Sequence, residues 1–308
     1  MVDANYVFLL SLAIIVIGYI IKRLKIVTEE NGKIIAKIIL NVTLPALIFN
    51  VINNIEIRPS LIILPFICVC YSVSVAFIAY LIFKKKPIEL KGVILMTVIG
   101  CNIGLFAYPM IEMIWGVEGL IYVIMFDIGN SFIIFGLSYS LGLIFSPKYN
   151  LKERKLELKP IFLKLITSVP LMAWIFALVL KISNVILPIF VIDLLEILSR
   201  ANMALTLLLL GIYLNFKINR IYWKTILEVL IIRYTFGLIV GLCLFFTLPY
   251  DKFFNAVILV AFILPIGMSA IAFSSEFGYD EELTSMIVSL TSMISFGLMW
   301  FIIILLGL

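Results

Sequence analysis

Residues 92–111 read GVILMTVIGCNIGLFAYPMI. A run of about 20 uncharged residues can cross a hydrocarbon layer of ~30 Å as a helix. Yet its middle, Gly100-Cys101-Asn102-Ile103-Gly104, and Pro109 just beyond resist a continuous helix. Glycine weakens helical backbone, and proline removes an amide and crowds the carbonyl one turn earlier. In lipid the freed backbone groups find no water, so such breaks survive where protein buries them or they line a cavity. The stretch therefore predicts a broken membrane helix with a polar residue, Asn102, at the break.

Outward from this run the chain keeps the same character. Of 308 residues, 64% are hydrophobic and 13% charged, and the mean hydropathy is +1.23. A soluble domain holds about 25% charged residues, so this composition predicts an all-α integral membrane protein. Apolar runs bounded by charges or turn residues place ten spans near 5–21, 34–51, 59–83, 92–111, 119–145, 161–180, 189–214, 225–247, 253–275 and 283–306. The first carries no cation before it and Lys22, Arg23 and Lys25 after it, which reads as a retained helix rather than a cleaved signal.

Cation placement sets the sidedness. Lys22, Arg23, Lys25, Lys33 and Lys37 lie beside one loop, and Lys84, Lys85, Lys86 and Lys91 beside the next but one. Lys148, Lys152, Arg154, Lys155, Lys159 and Lys164 follow, and then Lys217, Arg220 and Lys224. By the positive-inside rule these alternate loops are cytoplasmic and both termini are extracellular, as expected of a multi-pass protein of the cell membrane. The acidic turn from Glu276 to Glu282 caps the last span.

The polar segment 146–160 divides the chain into a first five-helix repeat (1–145) and a second (161–308). Five is odd, so the second half enters the membrane from the opposite face, and repeats so related are inverted. The fourth helix of the second half carries its own interruption, Leu264-Pro265-Ile266-Gly267-Met268-Ser269-Ala270. Matched Gly/Pro interruptions in two halves point to a transporter binding site. If Pro109 and Pro265 each start a second half-helix, free amides and a positive dipole end face the break. Such ends suit a small organic anion, with the Asn102 amide and the Ser269 hydroxyl adding directional contacts.

Other polar residues stand inside apolar runs. Asp127, with Asn130 one turn on, is a candidate for coupling to a proton or sodium ion, for pairing with Arg233, or for capping the break. Arg233 either snorkels or meets the anion. Asn41 and Asn202 line the pocket or bond between helices. Glu196 and Arg200, four apart, read as a helix-face ion pair.

At these residues the chain resembles the auxin efflux carrier family, which includes plant auxin carriers and prokaryotic relatives. The similarity rests on Asn41 with Leu44-Pro45-Ala46-Leu47, on Asn102-Ile103-Gly104 with Ala107-Tyr108-Pro109, and on Trp115-Gly116. It continues through Ala201-Asn202-Met203-Ala204-Leu205 to Gly211, and through Pro265 to Tyr279-Asp280. Ile103 departs from the pattern, which has a small hydroxyl residue there. The resemblance implies ten helices with the fourth and ninth crossing near their prolines. It implies a scaffold of helices one, two, six and seven, a homodimer, and an elevator-type movement of the rest. It also implies a site built from Asn102, Gly104, Pro109, Pro265, Ser269, Asn41 and Asn202, with small carboxylates as cargo.

The expected function is a secondary carrier for a small organic anion. The alternative is a sodium- or proton-coupled antiporter or symporter of the bile-acid-symporter and sodium-proton-antiporter fold. Such antiporters usually pair carboxylates beside the crossing, and Asp127 has no adjacent acid. With no histidine, no CxxC among four cysteines and no Gly-x-Ser-x-Gly, neither an enzyme nor a metal or other cofactor is expected. No phosphate-binding Gly-x-x-x-x-Gly-Lys occurs, and the lysine runs are topology signals rather than a nucleic-acid surface.

Overall fold

A computed structural model describes residues 4–54, 58–149, 158–215 and 219–307. Lys152, Arg154, Lys155 and Lys217, most of the 146–160 connection and the first residues of the chain lie outside the described residues. Among those described there is no β-strand; the elements are helices joined by short turns. Seven are long and apolar enough to cross a membrane: Ala4–Arg23, Glu29–Asn54, Pro59–Phe83, Ile103–Ile144, Ile189–Tyr213, Arg220–Thr247 and Glu281–Leu306. A bent pair, Lys159–Ile166 with Val169–Ile182, makes an eighth. Large apolar side chains such as Phe66, Phe246 and Phe301 stand more than 60% exposed on their surfaces. Water would not tolerate them in such number, whereas acyl chains do.

The helices are α1 (Ala4–Arg23), α2 (Glu29–Ile38), α3 (Leu44–Asn54), α4 (Ile63–Phe83) and α5 (Ile88–Ile99). They continue as α6 (Tyr108–Phe132), α7 (Tyr139–Ile144), α8 (Leu158–Ile166), α9 (Val169–Ile182) and α10 (Ile189–Tyr213). The last four are α11 (Trp223–Thr247), α12 (Lys252–Phe262), α13 (Ser269–Phe277) and α14 (Glu281–Leu306).

Local chemistry explains the boundaries. The second span starts earlier than its apolar run because Thr28 and Asn31 cap α2 reciprocally. Asp251 and Asp280 accept from the amides of Phe254 and Leu283 and so open α12 and α14. The expected sixth span is not one straight helix. It bends by 63° between α8 and α9, where Ser168 is extended and Pro170 occupies the first turn of α9. Proline is well placed there and would disrupt a continuing helix.

Two prolines are absorbed in a way that the sequence reading did not anticipate. Pro45 and Pro109 are each the second residue of a helix that follows a five-residue π turn, Ile39–Thr43 and Ile103–Ala107. A π turn carries its carbonyls one residue further back, away from the proline ring and its missing amide. Pro109 therefore does not begin the second half-helix; Ile103 does. Pro265 does not either. It lies in the unwound stretch 263–268, and α13 begins at Ser269.

The expected fourth and fifth spans meet without a loop inside Ile103–Ile144. They part at Gly116, which has φ 62° and ψ −157°. Only glycine adopts that backbone readily.

The contacts divide the chain into two compact units, each drawn from both halves of the sequence. The first holds Met1–Ile62, Ile103–Met125 and Ile166–Leu214. Within it α1 and α10 approach until backbones touch: a methyl group on Gly211 would strike the Ile15 carbonyl, and one on Gly18 the Leu208 carbonyl. The second unit holds Ile63–Asn102, Phe126–Leu165 and Asn215–Leu308. There Tyr71 stacks on Phe262 at 4.0 Å, and Gly237 lets α11 lie against the Phe262 carbonyl.

Candidate functional site

In the second unit the two interrupted helices meet at their breaks. α5 ends at Ile99, and Gly100, Cys101 and Asn102 are non-helical, with Gly100 extended. α12 ends at Phe262, and its chain stays unwound to Met268. The Asn102 amide donates to the Pro265 carbonyl at 2.8 Å, so one break hydrogen-bonds the other as two short strands would. A Cβ on Gly267 would stand 3.3 Å from the Cys101 oxygen, a second sign of how closely the two backbones pass.

Breaking a helix in an apolar layer frees carbonyls and amides, and the cost of leaving them bare is severe. Side chains from four helices supply the partners. Asn130 on α6 is 1% exposed. It accepts from the Cys101 amide at 2.9 Å and donates to the Cys101 carbonyl at 3.1 Å, reproducing a backbone pair with one side chain. The same amide group donates to Asp127 Oδ1 at 3.0 Å, which ties that carboxylate to the break. Ser72 on α4 donates to the Ile99 carbonyl at 3.3 Å. On α14, Ser295 donates to the Ile263 carbonyl at 2.6 Å and Thr291 accepts from the Ile266 amide at 3.2 Å. Tyr234 of α11 holds both, donating to the Thr291 carbonyl at 2.8 Å with Ser295 Oγ at the same distance.

Arg233, also on α11, is wholly buried. Its Nη1 donates to the Val98 carbonyl at 2.7 Å, and Nε and Nη2 to the Leu264 carbonyl at 3.1 and 2.7 Å. Nη2 also reaches the Pro265 carbonyl at 3.3 Å and Cys101 Sγ at 3.1 Å. This buried arginine thus faces backbone of both interrupted helices rather than snorkelling.

The residues singled out from the sequence are distributed as follows. Asn102, 5% exposed, and Pro265 stand at the crossing, with Asp127, Asn130 and Arg233 around it. Ser269 opens α13 at the far end of the second break. The rest belong to the first unit. A Cβ on Gly104 would lie 3.1 Å from Leu44, so this position must stay small. Pro109 is buried in α6. Asn202 is fully buried and accepts from Thr43 at 2.9 Å, while its amide nitrogen has no hydrogen-bond partner among the described residues. Asn41 is exposed and donates to the Lys37 carbonyl one turn back at 2.7 Å. Arg200 and Glu196 form the expected helix-face ion pair.

Several supporting residues went unnoticed in the sequence: Ser72, Tyr234, Thr291 and Ser295. A signal existed on α14, where Thr291, Ser292 and Ser295 cluster within an apolar run. Hydroxyls in apolar helices commonly return to the carbonyl one turn back, which makes them easy to pass over.

Comparison with known proteins supplies the family. A family model described as membrane transport protein matches residues 7–303. An uncharacterized transporter of Methanocaldococcus jannaschii is 28% identical over 310 residues, covering 94% of each chain. An uncharacterized transporter of Methanothermobacter thermautotrophicus is 27% identical over 214 residues, 68% of this chain and 67% of its own. The interrupted helices, their prolines and the near-complete match lead to one conclusion: this multi-pass membrane protein belongs to the membrane transport protein family, the auxin efflux carriers.

Proposed function

We propose that the chain is a secondary active carrier that moves a small organic anion, a carboxylate being the best fit, across the cell membrane. In this reading it has ten transmembrane helices in two inverted five-helix repeats and extracellular termini. It works as a homodimer by elevator-type alternating access. The observation that carries the reading is the hydrogen bond from the Asn102 amide to the Pro265 carbonyl. It joins two helix breaks deep in apolar sequence, each held by buried side chains contributed for that purpose. Irregular backbone at membrane depth survives where protein buries it or it lines a cavity, and matched interruptions in two halves point to a carrier's binding site.

The choice of an anion follows from what the second break exposes. α13 starts at Ser269, where the amides of Ala270 and Ile271 turn back to the Gly267 and Met268 carbonyls at 3.1 Å. The positive end of the helix dipole and the Ser269 hydroxyl favour a carboxylate. Asp127, fixed by Asn130 beside the first break, is the group through which a proton or sodium ion would couple. The grouping of 1–62 and 166–214 into one unit supports a scaffold of helices one, two, six and seven, although Ile103–Met125, the second half of the fourth helix, groups with them rather than with the crossing.

The test uses purified protein in two steps. A thermal-shift screen with small mono- and dicarboxylates, with and without sodium, selects a ligand, and uptake into proteoliposomes then measures transport. Asn102→Ala keeps the backbone bond to Pro265 and is expected to leave a folded protein with uptake reduced at least tenfold. Uptake at the wild-type rate would remove the crossing from the transport path.

A further inference from the structure

We propose that Arg233 is a positioning residue, a built-in cation that occupies the place of an exchangeable ion at the carbonyl ends of the two interrupted helices. Its side chain was expected to reach solvent or an anionic ligand, and the geometry assigns it elsewhere. The guanidinium has five N–H donors, and four are engaged: one on Nε, one on Nη1 and both on Nη2. The acceptors are the carbonyls of Val98, Leu264 and Pro265, with the Cys101 sulfur completing the set. Val98 lies in the last turn of α5, and Leu264 and Pro265 in the unwound chain just after α12.

Each helix end of this kind carries roughly half a negative charge from its unsatisfied carbonyls, so two together hold about one unit. A single fixed guanidinium balances that sum. This is the electrostatic task that unwound carbonyls and helix C-termini in other carriers give to a bound sodium ion or proton. Here the planar fork of donors reaches carbonyls from both chains at once, which a small spherical ion bound in solution would have to do after losing its hydration shell. Full burial keeps the charge away from water and fixed on these carbonyls. The consequence is specific. The carbonyl face of the crossing needs no exchangeable cation, Arg233 does not serve as the counter-charge for an anionic substrate, and any ion coupling runs through Asp127.

Two measurements on the full-length protein in detergent test this, and neither needs a substrate, so they stand apart from the carrier reading. The first compares Arg233→Lys, which keeps a cation, with Arg233→Met, which keeps length and apolar packing. Lysine is expected to retain more of the wild-type melting temperature than methionine, by about 5 °C or more. Methionine melting at or above lysine would overturn the proposal, since apolar replacements of buried ions succeed wherever charge is dispensable. The second follows hydrogen–deuterium exchange of residues 263–267 in the wild type, in sodium chloride or choline chloride at equal ionic strength. These residues connect to Asn130 and Asp127 through Asn102 and Cys101, so exchange of the Cys101 amide, which Asn130 holds directly, is followed beside them: an ion at Asp127 slows that amide first, an ion at the carbonyls slows 263–267. Equal exchange of 263–267 in both salts is expected. Sodium-specific slowing there would show an exchangeable ion at those carbonyls and refute the assignment, even if neither variant can be made in folded form.

Discussion

Replacing Asn130 with alanine removes the side chain that substitutes for backbone pairing at the first break. Three hydrogen bonds go: the Cys101 amide to Oδ1 at 2.9 Å, Nδ2 to the Cys101 carbonyl at 3.1 Å, and Nδ2 to Asp127 at 3.0 Å. Cys101 is 2% exposed, so its freed amide and carbonyl cannot turn to water. Each buried backbone group left bare costs about 1–3 kcal/mol, and two give about 4 kcal/mol. At about 2–4 °C per kcal/mol for a unit of this size, the melting temperature should fall by about 10 °C. Ser138→Ala provides the control. Its hydroxyl donates once, to the Met96 carbonyl at 2.6 Å, and its loss should cost about 1 kcal/mol. The assay is thermal unfolding in detergent followed by tryptophan fluorescence, with exchange of the Cys101 amide as a local readout. If Asn130→Ala melts within about 2 °C of wild type, or no lower than Ser138→Ala, the backbone-substitute role is refuted.

Gly116→Ala should lower stability by about 1–3 kcal/mol through backbone strain alone, because φ is +62° and nothing lies within 4 Å of the added methyl; an unchanged melting curve would mean that the chain passes this point differently. Gly211→Ala should cost at least as much for the opposite reason, a steric one, since α1 must move off α10 to admit the methyl; stability equal to wild type would disprove their close approach. The Lys164–Glu276 pair, 3.1 Å apart with side chains 31% and 36% exposed, should show a coupling below about 1 kcal/mol in a double-mutant cycle of melting temperatures. Asp127→Asn keeps the contact with Asn130 but removes the charge, and is expected to slow transport and flatten its dependence on pH and sodium; an unaltered dependence would make the residue structural.

Much of this molecule is legible in its sequence for a plain reason: in a bilayer, solvent quality is a one-dimensional constraint. Length of apolar run, position of lysine and arginine, and the rarity of polar residues within runs can be read along the chain. The spans 59–83 and 283–306, the ion pair of Arg200 with Glu196, the caps on the last helix and the interruptions around Asn102 and Pro265 follow from such reading. It fails where the outcome depends on what faces what. Pro109 was expected to start a helix because proline favours a first turn, yet a π turn before it absorbs the defect and moves the start to Ile103. The sixth span looked continuous because its residues are apolar on both sides of Ser168 and Pro170, and the 63° bend becomes visible only in space.

The candidate site divides along the same line. Sequence by itself determined that two helices break, that Asn102 and Pro265 stand at the breaks, and that Asp127, Asn130 and Arg233 are costly inside the membrane and so must have a task. Only the tertiary structure decided which task. Arg233 lies more than 130 residues from Val98 in the chain, and Asn130 lies 29 from Cys101. Nothing in the local sequence states that a guanidinium will meet two sets of carbonyls, or that one amide side chain will stand in for a missing backbone partner. Those pairings exist because a broken helix leaves directional, unsatisfied groups at fixed positions, and only a fold that brings distant donors to them can keep the break in an apolar layer.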